Sequence, residues 1–254
     1  MQLPDFAVTG RRVLITGAGR GIGLGIGRAL AAGGAAIAIQ DIDLAVAQSE
    51  TAAIEQAGGR AIALGGDMTD LSLPERLVEQ TVEQLGGIDI LINNASIQMS
   101  KSFLEYPLDE MQRQLNANVL AATRLCQLVL PGMQERKWGR IINLSSIQAR
   151  KGNSVAPAYA MSRAAMENLT KGLASKFGRD GITVNCIAPG WFDTYRNEHT
   201  FKSEQDKVES AKWLPIPRIG QPEDCAGLAL LLCSRAGEYI TGQAIYVDGG
   251  MSVR

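Results

Sequence analysis

The segment that decides the fold is Thr16-Gly17-Ala18-Gly19-Arg20-Gly21-Ile22-Gly23, a run of glycines between two different hydrophobic patterns. Residues 13–16 before it form a short apolar run, and residues 21–32 after it repeat apolar positions at helical spacing. A chain that turns tightly from a strand into a helix lets a phosphate group approach bare backbone at the helix N-terminus. Taken alone, the glycines also fit a tight turn with close helix–strand packing, so the neighbouring residues decide between the two.

An acidic residue at the end of the next apolar run favours a dinucleotide. Asp41 lies 24 residues after Gly17, where a carboxylate can accept hydrogen bonds from both ribose hydroxyls of an adenosine and repel a 2′-phosphate. Arg20 is the opposing signal, because a guanidinium beside the turn can bind that phosphate. A carboxylate in direct contact should outweigh a flexible arginine at the rim, so we predict NAD rather than NADP. Asp67 follows the third apolar run and either receives the adenine amine or caps the next turn.

The strand-then-helix rhythm continues along the whole chain. Strands are predicted at 13–16, 36–40, 61–64, 88–92, 140–144, 183–188 and 244–247, and helices at 21–32, 44–56, 73–85, 108–135, 158–177 and 222–233. The strands are apolar on both faces, which is typical of a parallel sheet covered by helices on both sides. Residues 191–217 break the rhythm and predict a mobile substrate loop that carries a short helix. We therefore expect a single α/β domain over residues 1–254, with a Rossmann-like, doubly wound parallel sheet of about seven strands flanked by helices.

Composition excludes several function classes. The formal net charge is −1, so no basic field is available for nucleic acid or an anionic membrane surface. The single histidine, His199, excludes most histidine-based catalysis and zinc chemistry, and the four cysteines show no metal-ligand spacing. No apolar run is long enough to span a membrane, and the first twelve residues do not form a signal peptide. These features predict a cytoplasmic protein without a metal, whose partner is a small molecule.

A series of short motifs follows the glycine turn. They are Asn93-Asn94-Ala95, Asn118, Ser145-Ser146, Tyr159, Pro189-Gly190 with Thr194, and Asp248-Gly249-Gly250. The order and spacing of these motifs resemble those of the classical short-chain dehydrogenase/reductase family, and the resemblance covers nearly the whole chain. The resemblance implies a seven-stranded sheet that binds NAD or NADP, and a homotetramer.

The resemblance also implies roles for individual residues. Tyr159 would be the acid–base residue, Ser146 would orient the substrate oxygen, and Asn118 would hold a water in the proton path. Taken singly, Tyr159 is more simply interpreted as a half-buried helix tyrosine and Ser146 as a strand-end cap, but the cofactor motifs beside them point to proton transfer. The residues expected to contact the cofactor are Gly17, Arg20, Gly21, Ile22, Gly23, Asp41, Asp67, Met68, Asn94, Ala95, Tyr159, Arg163, Pro189, Gly190, Phe192 and Thr194.

The largest departure from the family is Arg163, which stands where the family's Tyr-x-x-x-Lys motif has lysine; Ser96 stands where the family has glycine. Tyr159 and Arg163 share one face of a helix, so a cation lies beside the phenol and favours its ionised form. Arginine keeps this charge but cannot lose a proton. Arg163 either replaces lysine with reduced or altered activity, marks a relative that has lost catalysis, or points away from the cofactor ribose. We favour the first, because charge is the main requirement and the other catalytic positions are filled.

The loops after the fourth, fifth and sixth predicted strands should line the substrate site. Their candidate residues are Gln98, Ser146, Gln148, Asn153, Tyr159, Trp191 and His199. This mixture suits a small hydroxylated molecule such as a sugar, polyol or hydroxy acid, and Arg150 or Arg196 could meet a carboxylate. The prediction is an NAD-dependent oxidoreductase that interconverts a secondary alcohol and a ketone. The alternatives are reduction of a 3-oxoacyl thioester, and a weakened or non-catalytic NAD-binding protein.

Overall fold

The protein folds around one seven-stranded sheet, in a computed structural model that describes residues 5–253. The strands are β1 Arg12–Thr16, β2 Ala36–Asp41, β3 Arg60–Gly65, β4 Ile90–Asn93, β5 Gly139–Leu144, β6 Ile182–Pro189 and β7 Ala244–Val247. Their order is β3-β2-β1-β4-β5-β6-β7, and every neighbouring pair is parallel. The predicted Rossmann-like, doubly wound sheet is confirmed.

Helices cover both faces of this sheet. They are α1 Gly21–Ala32, α2 Leu44–Gln56, α3 Leu73–Leu85, α4 Leu108–Leu115, α5 Ala121–Glu135, α6 Gln148–Lys151, α7 Pro157–Phe177, α8 Glu204–Ala211 and α9 Ala226–Cys233. In β1, Val13 and Ile15 join the apolar cluster beneath α1 and α9, whereas Leu14 joins the cluster beneath α3 and α5. Successive side chains of a strand face opposite sides, so burial on both faces explains the uninterrupted apolar runs of the sequence.

The helix predicted at 108–135 is not one continuous α-helix. It consists of α4, a π-helical turn at Asn116–Leu120 and α5. A π-turn inserts an extra residue into a helix and occurs frequently at functional sites. Residues 116–120 contain neither glycine nor proline, so hydrophobic periodicity could not reveal the interruption.

Two shorter differences lie near the carboxyl ends of the strands. The helix predicted at 222–233 begins as a 3₁₀ turn, Pro222–Cys225, before it continues as α9. Gln221 and Asp224 close this turn with a reciprocal capping box. The four-residue helix α6 was not predicted, because a single turn is too short to show periodicity.

Residues 191–217 contain the predicted short helix as α8, preceded by a 3₁₀ turn at Tyr195–Asn197. A β-bridge between Phe192 and Gly220 attaches the start of this segment to the body of the protein. Phe201 and Leu214 pack into a small apolar cluster further along it. The mobility of the segment stays a prediction. Within residues 5–253, none of the helices is both long and apolar enough to span a bilayer.

Candidate active site

A cavity of about 330 Å³ opens at the carboxyl ends of the parallel strands. The chain leaves β1 and β4 toward opposite faces of the sheet, which creates a crevice between their ends. Most of the residues assigned to cofactor or substrate from the sequence line this cavity. They are Gly17, Arg20, Gly21, Ile22, Gly23, Asp41, Asp67, Met68, Asn94, Ala95, Gln98, Ser146, Gln148, Tyr159, Arg163, Pro189, Gly190, Trp191, Phe192 and Thr194.

Glycine is required at two points of the turn between β1 and α1. Gly17 has φ +60°, and a Cβ there would lie 2.8 Å from the Cα of Ala95. A Cβ on Gly23 would lie 2.5 Å from Asn94 Nδ2, which donates to the Gly17 carbonyl oxygen at 2.7 Å. α1 begins at Gly21 with no side-chain cap and no acidic residue in its first turn. Its backbone N–H groups and positive dipole end are available to a phosphate, so these residues fit a dinucleotide.

The acidic residue predicted to face the ribose is fixed by the glycine turn. Asp41 ends β2, is 6% exposed, and accepts hydrogen bonds from the backbone N–H groups of Gly19 at 2.9 Å and Asp43 at 3.1 Å. Arg20 lies 3.9 Å from the Asp43 carboxylate and 5.1 Å from the ring centre of Tyr195. The carboxylate is therefore held rigidly at this end of the cavity, while Arg20 contacts the segment that follows β6.

Two further residues lie at the end of the cavity where Asp41 is held. Asp67 lines the cavity and also accepts a hydrogen bond from the backbone N–H of Thr69 at 2.9 Å, so it caps the turn after β3. Gln40 was missed by sequence reasoning: its amide accepts from the Gly17 N–H at 3.0 Å and donates to the Gly66 carbonyl at 2.8 Å. A polar residue in an otherwise apolar strand is the signal that could have found it, since buried polar side chains are normally paired.

Tyr159 and Arg163 lie together at the opposite end of the cavity. Both belong to α7 and are 6% and 3% exposed. The guanidinium carbon of Arg163 is 4.9 Å from the centre of the Tyr159 ring, and its Nη1 donates to the Leu144 carbonyl at 2.7 Å. Its Nε is buried and has no hydrogen-bond partner among the described residues. An unpaired buried donor fits a site that a bound molecule completes.

The surroundings of Tyr159 favour its ionised form. Burial raises the pKa of the phenol, but the charges of Arg163 and Arg196, with hydrogen bonds from Arg163 and Ser146, bring the pKa below its ordinary value. Ser146 follows β5 and is 9% exposed, and its Oγ accepts from the backbone N–H of Gln148 at 3.2 Å. A phenol with a lowered pKa beside a fixed hydroxyl can exchange a proton more readily than a free tyrosine.

Asn118, a predicted catalytic residue, is not among the residues that line the cavity but is bonded to α7 behind it. Its side chain is 2% exposed; Oδ1 accepts from the Ile97 N–H at 2.8 Å, and Nδ2 donates to the Ile97 carbonyl at 2.9 Å and to Ser162 Oγ at 3.1 Å. Ser162 Oγ in turn donates to the Tyr159 carbonyl at 2.7 Å. These bonds join the π-turn, the loop after β4 and α7. The role of Asn118 in holding a water stays a prediction.

Comparison with known proteins agrees with this geometry. The sequence matches a family model described as enoyl-(acyl carrier protein) reductase over residues 17–252. It is 35% identical over 248 residues to the 5-keto-D-gluconate 5-reductase of Escherichia coli K12, with 98% of each chain covered. The chain belongs to the classical short-chain dehydrogenase/reductase family. It is therefore an oxidoreductase by family.

Solved structures share the architecture of this short-chain dehydrogenase/reductase. Gluconate 5-dehydrogenase of Burkholderia cenocepacia J2315, in complex with NADP and tartrate, is similar with a TM-score of 0.91 and 33% identity, covering 98% of each chain. A 7α-hydroxysteroid dehydrogenase complexed with NADH and 7-oxo glycochenodeoxycholic acid has a TM-score of 0.92 and 34% identity. That similarity covers 97% of this chain and 96% of the other.

Two residues that were expected in the substrate pocket of this short-chain dehydrogenase/reductase lie outside the cavity lining. Asn153 Oδ1 accepts from the backbone N–H groups of Val155 at 2.8 Å and Ala156 at 3.0 Å, so its amide caps the turn before α7. His199 is exposed after the 3₁₀ turn at Tyr195–Asn197. Loops have no side-chain periodicity, so order along the chain could not tell which of their residues turn inward.

The cysteines are buried away from this chemistry. Burial raises the pKa of each of the four thiols to about 12. These thiols belong to Cys126, Cys186, Cys225 and Cys233. A reactive thiolate is therefore not available at these positions. Within residues 5–253, no group of His, Cys, Asp and Glu side chains is arranged to hold a metal ion.

Proposed function

We propose that this protein is an NAD-dependent enzyme that interconverts a secondary alcohol and a ketone on a small polar substrate such as a sugar, polyol or hydroxy acid. The proposal rests on one observation: a single cavity is lined by the glycine turn, by Asp41, and by the Tyr159–Arg163 pair. Two of the similar proteins are named for gluconate or 5-keto-D-gluconate, which supports a small polyhydroxylated substrate.

Asp41 supports NAD over NADP. A 2′-phosphate would have to approach a buried carboxylate that two backbone N–H groups hold in position, and the two negative charges repel. The ribose hydroxyls of NAD can instead donate hydrogen bonds to that carboxylate. The similar structures contain NADP in one case and NADH in another. Similarity alone does not choose between the cofactors, so the argument depends on Asp41.

The bound nicotinamide supplies a hydride acceptor in one direction and a hydride donor in the other. In oxidation, the Tyr159 phenolate removes the proton of the substrate hydroxyl while the Ser146 hydroxyl orients the oxygen. In reduction, the Tyr159 phenol returns a proton to the carbonyl oxygen. Acid–base help of this kind contributes about 10²- to 10⁴-fold to the rate. Arg163 makes the phenolate accessible by stabilising its negative charge.

Arg163 cannot carry the proton further. A guanidinium stays protonated in proteins, and one of its nitrogens is bonded to the Leu144 carbonyl. The proton released in oxidation therefore leaves Tyr159 without passing through residue 163. Asn118, linked to α7 through Ser162, is the residue that we propose to hold a water on that path.

A weakened or non-catalytic NAD-binding protein is the second candidate. It is favoured by Arg163 itself, since this residue replaces the lysine of the family motif. Under this alternative, cofactor binding is retained and turnover is absent. The intact set of Ser146, Tyr159 and Asn118 favours the catalytic reading instead.

We further propose that the protein is a homotetramer. Leu104 and Leu108 are 95% and 80% exposed before and within α4, and Met161 is 48% exposed on α7, which contacts α4. Large apolar side chains on neighbouring elements favour burial against a second subunit. Light scattering that finds only a monomer would overturn this assembly.

Cofactor titration combined with a substrate panel tests the proposed function. Fluorescence titrations compare NADH with NADPH, and rates are measured with sugars, polyols, hydroxy acids and a 3-oxoacyl thioester. We expect the natural protein to bind NADH more tightly than NADPH and to turn over a small polar substrate. Tyr159→Phe should still bind NADH but should lose turnover. NADH binding without any turnover would favour the non-catalytic alternative, and preference for NADPH would overturn the cofactor assignment.

A further inference from the structure

Positive charge collects at one end of the cavity. In the sheet order, the segments after β2 and β3 lie at one end of the cleft and those after β5 and β6 at the other. The acids Asp41 and Asp67 line the first end, whereas Arg163 and Arg196 line the second. Among the described lining residues, no carboxylate belongs to the segments after β5 or β6. This end therefore favours an anionic group on a bound molecule.

Arg196 is held across the place where the reacting group would bind. It follows β6, and its Nη2 donates to the Ser96 carbonyl oxygen at 2.8 Å and to Ser96 Oγ at 3.0 Å. Ser96 follows β4, and β5 lies between β4 and β6 in the sheet. The link therefore spans the carboxyl end of β5, where Ser146 stands.

The position of Arg196 is fixed while its charge is not neutralised. Within residues 5–253, its hydrogen bonds both come from Nη2 and go to uncharged oxygens. A guanidinium has five N–H donors, so Nη1 and Nε of Arg196 keep donors that can form charge-assisted hydrogen bonds with a carboxylate. The charge also reaches Tyr159: burial raises the pKa of that phenol, and Arg163 and then Arg196 lower it.

We propose that Arg196 binds a carboxylate of the substrate and makes the site selective for acids over neutral polyols, with Ser96 as its positioning residue. The inference rests on the proposed function and narrows its substrate class to sugar acids and hydroxy acids. Arg150, the other arginine that the sequence offered for a carboxylate, is exposed on α6 and outside the cavity lining. Ser96 stands where the family has glycine, so the hydroxyl that holds Arg196 departs from the family pattern.

D-Gluconate and D-sorbitol isolate the contribution of the carboxylate, because sorbitol carries a hydroxymethyl group in its place. We expect Arg196→Gln to lower the gluconate-to-sorbitol ratio of kcat/KM by about 10- to 100-fold, mainly through KM for gluconate. Arg150→Gln is the matched control and should leave the ratio unchanged. Arg196→Lys should retain part of the preference, since the charge stays while the directed N–H donors of the planar guanidinium are lost.

A merely structural role for Arg196 predicts a different result. If the residue only shapes the segment after β6, Arg196→Gln lowers kcat/KM for both compounds equally and the ratio stays constant. That outcome would overturn the inference and leave the proposed function standing. Ser96→Gly, which removes the hydroxyl contact, should raise KM for gluconate and leave KM for sorbitol unchanged; equal changes would count against the positioning role.

Failure of the proposed function is recognised separately, as a natural protein that turns over no member of the panel of sugars, polyols and hydroxy acids. Binding then decides the inference without catalysis. Calorimetric titration of the natural protein and of Arg196→Gln with gluconate and with sorbitol measures affinity directly. Weaker binding of gluconate alone to the variant supports carboxylate recognition, and identical affinities in both proteins overturn it.

Discussion

Replacing Arg163 by methionine removes a positive charge from beside Tyr159 while keeping a long, unbranched side chain. Arg163 is 3% exposed, and its guanidinium carbon lies 4.9 Å from the centre of the Tyr159 ring. Two opposite unit charges at this separation attract each other by about 3 kcal/mol at an effective dielectric constant of about 20. This energy corresponds to about a 100-fold smaller phenolate population at a fixed pH below the pKa. We expect kcat for alcohol oxidation to fall about 100-fold at neutral pH.

The pH dependence gives the sign of the effect. The cation lowers the pKa of Tyr159 against the opposing influence of burial, so its removal raises that pKa. Oxidation needs the phenolate, and its rate therefore rises with pH until the tyrosine is ionised. The rate profile of Arg163→Met should move to higher pH, and its deficit relative to the natural protein should shrink in alkaline solution.

Steady-state oxidation rates across neutral and alkaline pH measure this shift, and NADH fluorescence titration reports cofactor binding separately. Lys171→Met is the control, because Lys171 is an exposed cation on the same helix. Arg163→Lys keeps the charge and should raise turnover with NADH binding retained. The reasoning fails if Arg163→Met leaves the pH profile in place, or if Arg163→Lys is less active than the natural protein.

Three further predictions concern the cofactor turn and the fold. Asp41→Asn removes the charge that opposes a 2′-phosphate, so the ratio of NADPH to NADH affinity should rise about tenfold in fluorescence titrations; an unchanged ratio would contradict this role. Gly17→Ala forces a side chain into a left-handed turn. It should lower the free energy of unfolding measured in urea by about 1–2 kcal/mol, and it should also weaken NADH binding. Gly172→Ala is the control: its new side chain meets open space in α7, so it should be neutral or stabilising. Asp89→Asn should cost about 3 kcal/mol at neutral pH, because two arginines contact this buried carboxylate. Burial raises the pKa of Asp89, but the two arginines lower it overall. The stabilisation of the fold by Asp89 is therefore present above about pH 4 and is lost as the pH falls further. A variant as stable as the natural protein would refute the predicted loss of stability.

Sequence reasoning succeeded where the signal is local. The runs at 13–16 and 36–40 predict strands because burial on both faces leaves them apolar up to their last residues, Thr16 and Gln40. The glycine turn could also be recognised locally, because its backbone conformation and close packing exclude other side chains. Asp41 was found because the end of β2 is determined by the strand that precedes it.

Sequence reasoning failed where long-range packing or a loop conformation determines the position of a residue. The π-turn at Asn116–Leu120 replaces regular helix without any glycine or proline to mark it. Asn153 and His199 were predicted to line the substrate pocket, yet the first caps a backbone turn and the second is exposed. Gln40 was overlooked, since its partners at Gly17 and Gly66 are distant in sequence.

The sequence by itself determined the alternation of strands and helices, the glycine turn with Asp41, and the identity of Tyr159 and Arg163 as neighbours on one helix. These features depend on periodicity and on residues close together along the chain. Only the tertiary structure decided that Arg196 lines the same cavity as Tyr159 and that Ser96, 100 residues away in the chain, holds it there. The sheet order makes this contact, because β4 and β6 flank β5 in space although long helical segments separate them in sequence.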